Sequence, residues 1–119
     1  MDRDPVTACV SQLPARDRVA ALTVAGGDAD LADELFAALL TGLPDELSAL
    51  RVGVAGSDWE GLAELAHQVR GATRYCGVPA LDEAAESLER AARGGDPQRI
   101  TAAFARLEEE AQRVRQSGD

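Results

Sequence analysis

Residues 57–74 read SDWEGLAELAHQVRGATR, and this stretch decides the fold class of the chain. At about 100° per residue, its apolar side chains follow one face of an α-helix: Trp59, Leu62, Leu65, Ala66, Val69 and Ala72. Ser57 followed three residues later by Glu60 has the spacing of a capping box and predicts where this helix begins. No segment of the chain alternates apolar and polar residues as a strand does. The sequence therefore predicts an all-α protein.

Two helices are predicted before this stretch. The first is short, covers residues 15–25, offers Val19 and Leu22 for packing and stops at two glycines. The second begins at a cap from either Asp28 or Asp30. Its apolar stripe continues through Pro44: Leu31, Leu35, Leu39, Leu43, Leu47, Leu50 and Val54. An interior proline costs about 3 kcal/mol, so packing on both sides must offset it, and we expect one kinked helix that ends at Gly53 and Gly56.

Two more helices are predicted after the quoted stretch. Gly77 suits a positive φ in the turn, and Pro79 suits the first turn of the next helix. The inward residues of the fourth and fifth helices are Leu81, Ala84, Ala85, Leu88, Ala92, then Ile100, Phe104, Leu107, Ala111 and Val114. Short links join the four long helices, which favours an antiparallel four-helix bundle with a short additional N-terminal helix. We assign it to residues 15–116, after a lead-in over residues 1–14.

Composition restricts the classes of partner. The chain has 119 residues, the size of one domain, and a formal net charge of −9, which argues against nucleic acid and anionic membranes as partners. Cys9 and Cys76 do not form a secreted disulfide framework and fit a reducing compartment. No apolar run approaches the roughly 20 residues that span a bilayer, and no signal peptide is recognised. We therefore expect a cytoplasmic protein without direct membrane contact.

His67 is the only histidine of the chain. On a helical wheel it lies on the side opposite Leu62, with Arg70 between that outer face and the core. Its predicted neighbours on the outer face are Glu60, Ala63, Gly71 and Arg74. A glycine inside a helix costs about 1 kcal/mol relative to alanine. Gly71 would give a large partner access to the imidazole, which is a reason for a glycine at this position.

Three other interpretations of His67 are available. It is an ordinary exposed polar residue if Gly71 only marks a loose helix end. Glu64 and His67 have the Glu-x-x-His spacing of di-iron bundles, but such a site needs a second copy, and the chain has no second histidine. A nucleophilic triad lacks a base at a suitable spacing from any serine or cysteine. We therefore predict no metal site and keep the exposed-residue interpretation open.

Residues 67–81 read HQVRGATRYCGVPAL, and Leu88-Glu89 follows in the next helix. This pattern, with AGGDADLADEL at residues 25–35, resembles the histidine-containing phosphotransfer (Hpt) domain. The resemblance covers about residues 16–115 and is to the Hpt modules that end tripartite hybrid sensor histidine kinases. It implies a monomer, and it leaves open whether the chain is a free protein or part of a parent hybrid sensor kinase.

The resemblance implies roles for single residues. His67 would be phosphorylated at Nε2, and Glu89 would accept a hydrogen bond from its Nδ1. Arg70 stands where the family usually has lysine, close to the phosphoryl oxygens. Gly71 would admit the partner, and the surrounding binding surface would include Ala63, Gln68 and Arg74. Arg74 is bulkier than the residue common there, and three roles stay open: a second phosphate contact, partner selectivity or a solvated surface residue.

The function implied is that of a phosphorelay intermediate in two-component signal transduction. His67 would accept a phosphoryl group from a receiver-domain aspartate and pass it to another receiver. The partners would be response-regulator receiver domains, which would carry the Mg²⁺, and this chain would need no cofactor and have no kinase activity of its own. The alternative is a helical adaptor that binds a partner without chemistry. Acid-labile, base-stable label after incubation with a phosphorylated receiver distinguishes the two.

Overall fold

The computed structural model describes residues 13–117, and this part of the chain forms five α-helices without a strand. They are α1 (Arg18–Val24), α2 (Ala29–Gly56), α3 (Trp59–Thr73), α4 (Pro79–Gly94) and α5 (Pro97–Ser117). The predicted all-α class is therefore confirmed. Residues 1–12 of the predicted lead-in, with Cys9, and residues 118–119 lie outside the described residues. No helix among those described is long and apolar enough to cross a membrane.

The four long helices form a closed ring. α3 packs most extensively on α4, α4 on α5, and α2 completes the ring through contacts with both α3 and α5. Leucine, isoleucine and valine fill the centre, and the fully buried members are Leu43, Leu50, Leu62, Val78, Leu81, Leu88, Ile100, Leu107 and Val114. Each such side chain contributes about 1.5–3 kcal/mol when it is removed from water. This apolar centre stabilises the bundle with few aromatic residues.

α2 is one helix that continues through Pro44, as predicted. Leu43 and Leu47 are both buried beside the proline, so packing there offsets the lost backbone hydrogen bond. The predicted stripe is wrong at its start, because Leu31 is 40% exposed while Ala32 and Phe36 are buried. The same holds for α1, where Val19 and Leu22 are exposed. Ala21 and Ala25 pack with Ala32 instead, since alanine contacts let the short α1 lie close against α2.

The predicted capping box at the start of α3 is wrong. Ser57 has φ 61° and terminates α2 in the left-handed conformation. Asp58 is the N-cap of α3, and its side chain accepts a hydrogen bond from the Gly61 amide at 3.0 Å. The link has only two residues: Ser57 ends α2, and Asp58 caps the start of α3. Gly53 does not end α2 either, and a Cβ there would come within 3.1 Å of Leu62 Cδ1, so this glycine lets α3 approach.

The turn between α3 and α4 holds α1 in place. Gly77 has φ 67°, as predicted, and its carbonyl accepts a hydrogen bond from the Asp17 amide at 2.7 Å. A Cβ on Gly77 would lie 2.6 Å from Ala21 Cβ, so only glycine fits under α1. Thr73 Oγ1 donates to Asp82 Oδ1 at 2.7 Å and ties the end of α3 to the first turn of α4. The α3–α4 pair is thereby fixed at this end.

Candidate functional site

His67 lies on the solvent side of α3, with 57% of its side chain exposed. Ala66, just before His67, and Val69, two residues after it, point into the bundle and are buried. Helical geometry therefore places the imidazole where a large partner can reach it, as the sequence predicts. Its Nδ1 atom faces α4 and lies 3.3 Å from Oε2 of Glu89.

Glu89 contacts three other side chains at the α3–α4 interface. Its Oε2 faces His67 and also accepts from Arg93, at 2.9 Å from Nη2 and 3.3 Å from Nε. Its Oε1 accepts from Arg70 Nη1 at 3.4 Å. Only 12% of the Glu89 side chain is exposed. One carboxylate, shielded from most solvent, therefore orders an imidazole and two guanidinium groups.

Glu89 is ionised in this environment. Burial raises the pKa of its carboxyl, but hydrogen bonds from Arg93, Arg70 and His67, together with the charge of His67, outweigh burial and lower that pKa. A carboxylate has only acceptor atoms, so His67 Nδ1 must present its proton to it. In the neutral imidazole this leaves the lone pair on Nε2. The geometry supplies an exposed nitrogen nucleophile in one tautomer.

Arg70 lies beside this imidazole and has unused donors. Its side chain is 19% exposed, and its single ion pair among the described residues is the 3.4 Å contact to Glu89. Its Nε atom is buried and has no hydrogen-bond acceptor among residues 13–117. A guanidinium carries five N–H donors in a planar fork that suits phosphate oxygens. Arg70 is thus an incompletely satisfied cation next to the nucleophile.

Gly71 faces open space. A Cβ added there would have no other heavy atom within 4 Å. No packing contact in the described chain therefore accounts for the glycine, although it lowers the stability of α3. The surface beside His67 is left flat by this residue.

Ala63 does not belong to the outer face, and its prediction as a binding residue is wrong. The residue is fully buried and joins the main core. α3 packs on both α2 and α4, so its buried arc is wider than the single stripe assumed from the sequence. The helical wheel of α3 alone did not show that a second helix covers Ala63.

The two other predicted binding residues are exposed. Gln68 lies at the edge of an open cleft of about 200 Å³ between α2 and α3. The cleft is lined by Asp45, Glu46, Ala49, Leu50, Leu65, Gln68 and Val69. Arg74 follows the last residue of α3 and makes no ion pair within the described part of the chain.

Other chemistry has little support in the described residues. Burial and the charge of Glu46 raise the pKa of the Cys76 thiol, whose Sγ donates to the Ala72 carbonyl at 3.2 Å, so this cysteine is a poor nucleophile. Between residues 13 and 117, no three His, Cys, Asp or Glu side chains converge as a metal site.

Arg93 is the functional candidate that sequence reasoning missed. It sits four residues after Glu89 on α4, and Glu–Arg pairs at this spacing are neighbours on a helix surface. That spacing is visible in the sequence. Its importance becomes clear only when Glu89 is seen to touch His67 from another helix.

Known proteins share this arrangement of helices and parts of this sequence. The family model described as Hpt domain matches residues 34–117. The sensor protein GacS of Pseudomonas syringae pv. syringae is 44% identical over 73 residues, which are 61% of this chain and 8% of that protein. The sensor histidine kinase GacS of Pseudomonas protegens is 38% identical over 98 residues, 82% of this chain and 10% of that protein.

A more distant relative and a solved structure agree with this family. The signal transduction histidine-protein kinase BarA of Escherichia coli K12 is 33% identical over 75 residues, 63% of this chain and 8% of that protein. The chain thus spans a tenth or less of the length of these curated relatives. The crystal structure of the Hpt domain from a Shewanella hybrid histidine kinase matches with TM-score 0.69 and 24% identity, covering 87% of this chain and 92% of that one. This last match concerns the fold.

Proposed function

The chain belongs to the Hpt domain family, whose members transfer phosphoryl groups in two-component signalling, and from this premise we propose that His67 is its phosphorylated residue. One observation carries the proposal: His67 is exposed, and its Nδ1 faces the ionised Glu89 at 3.3 Å. In a neutral ring that contact favours the tautomer with the proton on Nδ1 and the lone pair on Nε2, and the side chain is exposed enough for a second protein to bring a phosphoryl group.

The reaction needs little covalent machinery from this chain. Nε2 of His67 attacks the phosphorus of a receiver aspartyl phosphate, the N–P bond forms, and the P–O bond to the aspartate breaks. The aspartate leaves as a carboxylate, and the His67 ring becomes cationic because Nδ1 keeps its proton. Glu89 stabilises that positive ring. The reverse reaction passes the phosphoryl group to another receiver, so the chain acts as a relay substrate without kinase activity of its own.

The remaining residues bind the group or the partner. Arg70 makes its one hydrogen bond among the described residues through Nη1, so its Nη2 group is left for the phosphoryl oxygens, and phosphoryl transfer depends mainly on such positioning and charge neutralisation. Gly71 and Gln68 form the flat surface that a receiver domain covers, with Arg74 at its margin. The Mg²⁺ would be bound by the receiver, and this chain would work in the cytoplasm as a monomer.

The test is transfer from an isolated receiver domain. A receiver labelled with ³²P at its aspartate is incubated with the purified chain, and the label is then exposed to acid and to base. We expect acid-labile, base-stable label on the wild type and none on His67→Gln, which keeps a polar side chain of similar size without a nucleophilic nitrogen. Circular dichroism should be the same for both, since His67 lies outside the core.

The adaptor alternative gives a different result. A helical adaptor would bind the receiver in the same mixture and acquire no label. Label that persists in His67→Gln would exclude this histidine as the acceptor.

A further inference from the structure

Arg93 lies beside His67 and reaches it only through Glu89. Arg93 donates two hydrogen bonds to Glu89 Oε2, from Nη2 at 2.9 Å and from Nε at 3.3 Å. His67 Nδ1 approaches the same oxygen at 3.3 Å. Arg70 makes only the longer contact to the other oxygen, at 3.4 Å. The two arginines therefore bind the same carboxylate unequally.

The difference between the contacts of Arg93 and Arg70 with Glu89 has a consequence for the charge balance of the site. Glu89 is largely shielded from solvent, so its negative charge must be balanced by nearby cations. Arg93 supplies a cation and two directed donors from one side. Without it, the most available replacement is Arg70, whose Nε and remaining Nη donors are not committed to other residues of the described chain. A guanidinium that binds a carboxylate through both arms has fewer donors left for phosphate.

We propose that Arg93 is a positioning residue that acts through Glu89: it holds the carboxylate against His67 Nδ1 and leaves Arg70 free to bind the phosphoryl group. This rests on the proposed function, since Arg70 has a phosphoryl group to bind only if His67 accepts one. Arg93 itself makes no contact with the reacting atoms.

The arrangement matters most after transfer. The phosphoryl group brings negative charge to Nε2, and Arg70 turns toward it from its weak contact with Glu89. The carboxylate then faces a cationic ring and still keeps Arg93, so it loses neither its charge balance nor its position. Removing Arg93 makes Arg70 serve both anions at once.

The experiment uses phosphoramidate, a small phosphoryl donor, so that no receiver is needed. Its P–N bond breaks as the bond from phosphorus to Nε2 of His67 forms, and ammonia leaves. The variants are Arg93→Met, which keeps most of the side-chain stem, and Arg93→Lys, which restores the charge. Arg90→Met is the matched control, because Arg90 is an exposed neighbour on α4 with no ion pair among the described residues and the same charge is lost.

Three measurements are made on each protein. NMR of the His67 ring nitrogens gives the tautomer before phosphorylation, ¹³C titration of the Glu89 carboxyl gives its ionisation, and ³¹P decay gives the phosphohistidine lifetime. In Arg93→Met we expect a larger population with the proton on Nε2, a carboxyl that titrates at higher pH, and a lifetime shortened about three- to tenfold, as suits loss of a charge-assisted contact. Arg93→Lys should recover part of each change, and Arg90→Met should match the wild type.

The outcomes separate this proposal from the proposed function. If Arg93→Met, shown to be folded by its thermal transition, matches Arg90→Met in tautomer and in the Glu89 titration, the positioning role is wrong. If Arg93→Met does not fold, the same two measurements on Arg93→Lys decide, because lysine lacks the two-armed contact and should show partial changes. If the wild type accepts phosphate neither from phosphoramidate nor from a receiver, the proposed function fails, and the idea that Arg70 is kept free for phosphate fails with it. The tautomer and titration would then still report whether Arg93 orders Glu89.

Discussion

Replacing Gly71 should make the protein more stable and less active. Outside its own helix backbone, a Cβ at this position meets no heavy atom within 4 Å, so alanine fits without displacing any neighbour, and the position is exposed enough for a leucine to extend from it. Glycine disfavours a helix interior by about 0.8–1 kcal/mol relative to alanine, and leucine is nearly as good as alanine. Since about 1 kcal/mol shifts the Tm of a domain near this size by about 4–8 °C, we expect Gly71→Leu to melt roughly 3–6 °C higher.

The same leucine would project from the surface that carries His67. A receiver held away from the imidazole by even 1 Å can lose about 100-fold in rate, because in-line transfer requires close alignment. We therefore expect Gly71→Leu to transfer phosphate about 100-fold more slowly, and Gly71→Ala to show the stability gain with a smaller loss.

The assay pairs thermal unfolding with the initial rate of transfer from a labelled receiver. Gly42→Ala calibrates the stability measurement, because Gly42 is also inside a long helix with no atom within 4 Å of its added Cβ. Reduced stability of Gly71→Leu would show that the glycine is needed by the fold. A higher Tm with an unchanged transfer rate would refute the access argument.

Three further changes test the site and the fold. Arg70→Ala should slow transfer about ten- to a hundredfold, because a charge-assisted contact contributes about 1.5–3 kcal/mol. Rapid-quench measurement of the transfer rate checks this. The pKa of Glu89 is lower in the folded protein than in the unfolded protein. The ionised carboxylate therefore stabilises the fold at pH values above the unfolded-state pKa, and this stabilisation is lost as the pH falls through the folded-state pKa. The free energy of unfolding measured in urea should therefore fall more steeply below about pH 4.3 for the wild type than for Glu89→Gln. Asp58→Ala should cost about 1 kcal/mol in the same urea assay, while Ser57→Ala should leave the N-cap of α3 intact.

Local rules predicted most of the fold. Helix periodicity, the proline at the start of α4 and the glycine of the α3–α4 turn are decided within a few residues, and the structure has each of them where expected. Long-range packing decided the rest. Ala63 is buried because a second helix covers it, and Leu31 is exposed because α1 packs on alanine instead.

For the candidate site, too, periodicity within one helix predicts one part, and the packing of two helices decides the other. The position of His67 on the outer face follows from the wheel of one helix. The distance from His67 to Glu89, and the arginine pair around that carboxylate, depend on how α3 and α4 meet, which periodicity does not specify. The spacing of Glu89 and Arg93 on α4 shows that they are neighbours, but not how their contact meets the imidazole on α3.

All four side chains of the Glu89 cluster, His67, Arg70, Glu89 and Arg93, belong to one helical hairpin, α3–α4. Contacts within a hairpin join residues that are close in sequence and have low contact order, so the arrangement of these four side chains can form before the ends of the chain have packed. The exposed faces of α2 and α5 contribute no side chain to this cluster within residues 13–117. Substitutions on those faces leave the contacts of these four side chains in place, so the outer surface of the bundle can change in evolution separately from this cluster.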